Sequence, residues 1–190
     1  EDGVLPILHA DVTDDDIVYR TVSFVSLERS DLTAGHVRGT HYLAADGFGY
    51  GHMLTEEQER ERLAIVDGEV DREEETVYYF RAEAVNTADV PRYAWFKNPV
   101  PNGWTLGAAT AYAFDGTNGF AKFGTDKVFA VTKRNGSPLA SEEQAVLLAP
   151  GESAVFEFYV PHRPISEARA KLLIAQDFEA RHAQCRLFWQ

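Results

Sequence analysis

Turn dipeptides interrupt this chain too often for any long element before its final quarter. Asp67-Gly68, Asp115-Gly116, Asn118-Gly119, Asn135-Gly136 and Pro150-Gly151 punctuate it, joined by the Asn98–Gly103 segment (NPVPNG) and the Asn86–Pro91 turn. Such residues supply the unusual backbone angles that reverse a chain between strands. What lies between them alternates with period two. Ile17–Leu27 (IVYRTVSFVSL) puts Val18, Arg20, Val22, Phe24 and Ser26 on one face and Tyr19, Thr21, Ser23, Val25 and Leu27 on the other. Thr76–Val85 behaves likewise, Arg92–Lys97 resumes extended structure, and shorter runs follow at Leu106–Phe114, Phe120–Phe123, Lys127–Thr132 and Val155–Val160. Strands at this spacing predict an all-β fold, a large antiparallel β-sandwich over residues 1–165. A chain of 190 residues suits one such domain.

Residues 166–190 depart from that pattern. Pro161 and Pro164 stop the last strand, Ser166 offers an N-cap, and Glu167–Phe188 holds no Gly or Pro, so one continuous helix is expected. At 100° per residue Ala170, Ile174, Phe178, Cys185, Phe188 and Trp189 fall within an arc of about 100°. Leu172, Ala183 and Leu187 lie roughly opposite. A helix apolar on two sides expects two neighbours. Phe178, Leu187, Phe188 and Trp189 are therefore the expected contacts to a second body, either a further helical domain or an oligomer partner.

Charge and composition narrow the partners. With 18 Lys and Arg against 30 Asp and Glu, the net charge of −12 disfavours nucleic acid and anionic membrane surfaces, which need a basic face. No apolar run reaches the roughly 20 residues of a membrane-spanning helix. The one cysteine, Cys185, excludes an internal disulfide and sits on the apolar stripe, where a thiol is inert. No nucleophile elbow and no phosphate-cradling glycine loop occurs, so no cofactor is indicated. Nothing in the sequence assigns a compartment.

Two segments invite a functional reading. Ser30–Gln58 carries five glycines and His36, His41 and His52 among Tyr42, Phe48 and Tyr50, the make-up of a long ordered loop. Its histidines match no metal-site spacing, and no metal is expected. A free-standing sugar epimerase would want a Glu base and a His acid, for which His41 and His52 are the candidates. The second segment is aromatic: Trp95, Phe96, Trp104, Tyr112 and Phe114 surround the Asn98–Gly103 loop. Exposed, these rings can stack on the apolar face of an oligosaccharide; buried, they fill the sandwich. Trp95 and Trp104, with His41 and His52, are the candidate carbohydrate contacts.

Several stretches together resemble a known family. They are Tyr19–Arg29 (YRTVSFVSLER), Gly39–Gln58 (GTHYLAADGFGYGHMLTEEQ), Asn86–Pro99 (NTADVPRYAWFKNP), Leu148–Ser166 (LAPGESAVFEFYVPHRPIS) and Leu173–Trp189 (LIAQDFEARHAQCRLFW). The chain resembles the N-terminal supersandwich domain, galactose-mutarotase-like, that precedes an (α/α)6 barrel in bacterial six-hairpin glycosidases. That resemblance implies a non-catalytic domain supporting a helical catalytic barrel that would follow Trp189. It carries over no catalytic residue, because the family's carboxylates lie in the barrel. A length of 190 residues is short for a full supersandwich.

Overall fold

The computed structural model describes residues 5–35, 74–100 and 111–190, together with Glu57 and Arg60. Among the described residues there are ten strands and two helices that run for at least a turn. The strands are β1 (Leu8–Asp14), β2 (Ile17–Leu27), β3 (Thr76–Asn86), β4 (Arg92–Lys97), β5 (Ala113–Asp115), β6 (Phe120–Phe123), β7 (Lys127–Arg134), β8 (Ser137–Pro138), β9 (Glu143–Leu148) and β10 (Ser153–Pro161). The helices are α1 (Glu167–Ile174) and α2 (Phe178–Trp189). One antiparallel sheet has the order β1-β2-β3-β10-β7-β6-β5, with β8 paired to β7. A second sheet consists of β4 and β9. The all-β, sandwich-like architecture expected from the turn spacing is the one observed.

Alternation along the central strands gives the large sheet two buried faces. Phe24, Tyr79, Val131 and Tyr159 point to one face, where they meet Ala170, Leu173, Phe178 and Cys185 of the helices. Ile17, Ala84, Ala154 and Phe156 point to the other, beneath Ala94 of β4 and Leu148 of β9. The alanines let the small sheet approach closely. Phe96 of β4 stacks on Phe156 of β10 at 4.5 Å and 4° between planes. The result is three layers, with helices, large sheet and small sheet in that order.

The expected single helix is corrected to two. Ala175, Gln176 and Asp177 break it, and Asp177 caps α2 by accepting the backbone N–H of Ala180 at 2.8 Å. Asp at an N-cap offers the backbone an acceptor that a continuing helix would not use, so no Gly or Pro was required for the stop. The two-sided apolar character persists across the break. Ala170, Leu173, Phe178 and Cys185 are buried, while Leu172 and Leu187 stand in solvent. Cys185 behaves as core: its Sγ donates to the carbonyl of Val25 at 3.5 Å, and burial pushes the thiol up to about 11.

Two turns show how the strands are joined. Asn135 and Gly136 connect β7 to β8 with φ of +48° and +80°, the left-handed pair of a type I′ hairpin. Gly119 (φ +69°) lies in the turn before β6, where an added Cβ would sit 2.3 Å from the carbonyl oxygen of Thr132. Gly136 has open space around it. Gly136→Ala should therefore cost only the left-handed strain, about 1 kcal/mol. Gly119→Ala adds displacement of a neighbouring backbone and should cost about 3 kcal/mol. Urea denaturation of the two variants beside the parent chain measures the difference, and equal midpoints would contradict the account.

Candidate functional site

A cluster of ionisable side chains lies between the large sheet and the helices. Glu157 of β10 is buried, and its Oε1 accepts from Arg81 Nε at 2.9 Å and Nη2 at 2.7 Å. Its Oε2 accepts from the Tyr159 hydroxyl at 3.0 Å and pairs with Lys133 Nζ at 2.9 Å. Arg81 also pairs with Glu179 of α2 and lies 4.1 Å over the Phe178 ring. Burial pushes the Glu157 carboxyl up, but hydrogen bonds and charges from Lys133 and Arg81 outweigh it and hold it below the ordinary carboxylate range. Burial likewise raises Tyr79 and Tyr159 far above ordinary phenols. Both carboxylate oxygens of Glu157 are taken, and both tyrosines stay protonated. This cluster is a seam that fastens the helices; it presents no unoccupied acid or base.

Trp95 is placed by β4, whose register sets it opposite Ala145 of β9. It projects outward and is 65 % exposed, with Tyr93 on the same face at 55 %. Their ring centroids are 6.4 Å apart with planes 45° from parallel. Tyr19 of β2 reaches the free edge of β4: its hydroxyl accepts the Trp95 N–H at 2.8 Å and donates to the Trp95 carbonyl at 3.2 Å. The other aromatic candidates are used internally. Phe96 stacks on Phe156, Phe114 packs against the same cluster, and Tyr112 lies edge-on to Phe129 while donating to Glu142. Period-two alternation alone separates Trp95 from Phe96, and Tyr93, one period earlier, shares the face of Trp95.

The end of α2 makes the second surface. Leu187 is 75 % exposed and Trp189 is 50 % exposed. Phe188 packs edge-on against Trp189 at 4.9 Å. These two rings wall a groove of about 730 Å³ whose other sides include Val25, Leu27, Tyr78 and Val160. Phe178, expected at an interface, is instead 3 % exposed and sits against Phe24 at 5.2 Å within the domain's own core. It is the first residue of α2, the end nearest the seam, so its ring is spent on the sheet.

His41, His52 and Trp104 lie outside the described residues. Among the described residues no three His, Cys, Asp or Glu side chains gather as a metal site, and no helix is long and apolar enough to cross a membrane. Comparison with protein-family models, with curated proteins and with solved structures gives no match to this chain.

The seam makes stability depend on pH in a definite direction. A carboxyl held below its unfolded value stabilises the fold fully above the ordinary carboxylate range, and that contribution disappears as pH falls through the depressed value. Glu157→Gln leaves Lys133 buried without its counter-charge and Arg81 with Glu179 alone, and should cost roughly 3 kcal/mol at neutral pH. Urea midpoints from pH 7 down to about 2 should show the gap between variant and parent narrowing toward acid, where Glu157 is protonated in the folded parent too. A gap independent of pH would sink the assignment.

Proposed function

We propose that this chain is the non-catalytic accessory β-sandwich domain of a carbohydrate-active enzyme of the bacterial six-hairpin glycosidase kind, packed against a helical catalytic body. The observation that supports this reading most is the two-sided final helix. One side of α2 is consumed by the sheet through Phe178 and Cys185, while at its end Leu187 is exposed and Phe188 and Trp189 wall an apolar groove. Apolar area of this kind on a finished surface is an interaction site. A groove beside a helix terminus suits an apolar side-chain ridge of another helix. The ionic seam fits a supporting role, since it fixes the direction in which α2 leaves the sheet and holds no group poised for proton transfer.

The test is the coding sequence beyond Gln190 and the behaviour of the longer protein. A run of about a dozen amphipathic helices is expected there, with glycoside-cleaving activity residing in it. Leu187→Asp combined with Trp189→Asp should weaken the docking of that helical body by about 2–4 kcal/mol, because each introduces a buried charge without a partner. The same pair in the 190-residue chain should leave the melting temperature nearly unchanged. A reading frame with no helical domain, or a longer protein indifferent to both substitutions, would overturn the proposal.

A further inference from the structure

We infer that the outward face of β4 and β9 is a stacking platform for a neutral oligosaccharide, centred on Trp95 and Tyr93. This surface shares no residue with the groove at the end of α2, and the inference stands apart from the accessory reading. Tyr93, Trp95 and Lys97 point outward from β4, and Glu143, Ala145 and Leu147 stand opposite them on β9. Ala145, facing Trp95, is too short to cover the indole. The ring therefore offers its flat surface to solvent from a strand held on both edges, by the β9 ladder on one and by the Tyr19 hydroxyl on the other. The backbone that carries the ring is therefore ordered before any ligand arrives, which lowers the cost of binding.

Size and charge select the occupant. Two strands of six residues make a strip about 20 Å long and 10 Å wide, roughly 200 Å². A stable protein interface needs about 800 Å² on each partner, so this strip falls far short. A short sugar chain laid along the strands fits it, because pyranose rings present flat C–H faces that stack on aromatic rings. The charges at one end of the strip are already paired, Lys97 with Glu143 at 2.5 Å. Such a pair offers donors and acceptors to hydroxyl groups while presenting no net charge to an ion. The chain's net charge of −12 further repels an anionic glycan.

The experiment titrates the 190-residue chain with cellohexaose, xylohexaose and maltohexaose, and with a hexagalacturonate as the charged comparison, followed by calorimetry and by chemical-shift changes of the indole N–H groups. At least one neutral hexasaccharide should bind. Trp95→Ala should weaken it about tenfold or more, Tyr93→Ala by several-fold, and Trp95→Phe less than Trp95→Ala. Trp189→Ala should leave affinity unchanged. Since both platform rings are exposed, thermal melts of the variants should match the parent, and Trp95→Phe retains an aromatic face if the alanine variant folds poorly. Absence of binding to all three neutral sugars at about 10 mM overturns the inference. So does tighter binding of the hexagalacturonate, or a loss with Trp189→Ala as large as that with Trp95→Ala.

Discussion

Gln176 ties the corner between the two helices to the large sheet. It sits in the break between α1 and α2, where its Oε1 accepts from the Tyr79 hydroxyl at 2.8 Å and from Arg181 Nε at 3.0 Å. Its amide nitrogen donates to the carbonyl of Glu28, and its own carbonyl accepts from Lys133 Nζ at 3.0 Å. One residue thus satisfies groups from β3, β7, α2 and the segment after β2. A backbone carbonyl at a helix end must find a donor or remain wet, and here a buried lysine from the sheet is that donor. The break is consequently a fixed corner.

The corner decides where α2 goes and what it exposes. Arg169 of α1 pairs with buried Glu28, Arg163 with buried Glu75 at 2.7 Å, and Arg81 of β3 with Glu179 of α2. Glu74 accepts the backbone N–H groups of Arg29 and Ser30 at 2.5 and 2.6 Å. These contacts bind both helices along one side of the large sheet. Ion pairs of this sort contribute little net stability compared with apolar packing, but removing one member leaves a stranded charge, so they discriminate strongly against a shifted helix. The far end of α2 is held less: Leu187 and Trp189 extend past the last seam contact into solvent.

The strands legible in the sequence are those with at least one packed face and turn residues at each end. Ile17–Leu27 and Arg92–Lys97 have the bounds expected of them; in β4 the inward Ala94 and Phe96 pack on the large sheet while Tyr93 and Trp95 face solvent. β1 escaped notice since LHADVTD is exposed throughout, and its pairing with β2 rests on backbone hydrogen bonds and the Asp14–Ile17 turn. β9 escaped for a related reason, as a strand of a two-stranded sheet buries little and EQAVLL shows a weak pattern. The helix break could have been foreseen from Asp177 as a cap, but the carbonyl of Gln176 is stabilised by Lys133, 43 residues away, and no local signal encodes that. Of the candidate site, the sequence marks Trp95 as one ring of an aromatic cluster, and which of those rings is exposed is set by the face of β4 that packs on the large sheet. The pairing of Trp95 with Tyr93 and the Tyr19 hydroxyl needed the three-dimensional arrangement of the sheets.

The two exposed apolar surfaces differ in shape, and shape implies different partners. The groove beside Trp189 is concave, about 730 Å³, and lined by aliphatic and aromatic side chains from the sheet as well as the helix. A concave apolar site rewards a ligand that inserts volume, as the side chains of a packed helix do. The β4–β9 strip is flat, narrow and carries the neutralised Lys97–Glu143 pair at one end. A flat strip cannot envelop anything, so it gains only from a ligand that is itself flat and whose remaining surface prefers water. Sugar rings meet that requirement and protein side chains do not, because their apolar area would stay mostly exposed around so small a contact. The two surfaces share no lining residue, so the domain can engage a protein body and a glycan at separate places.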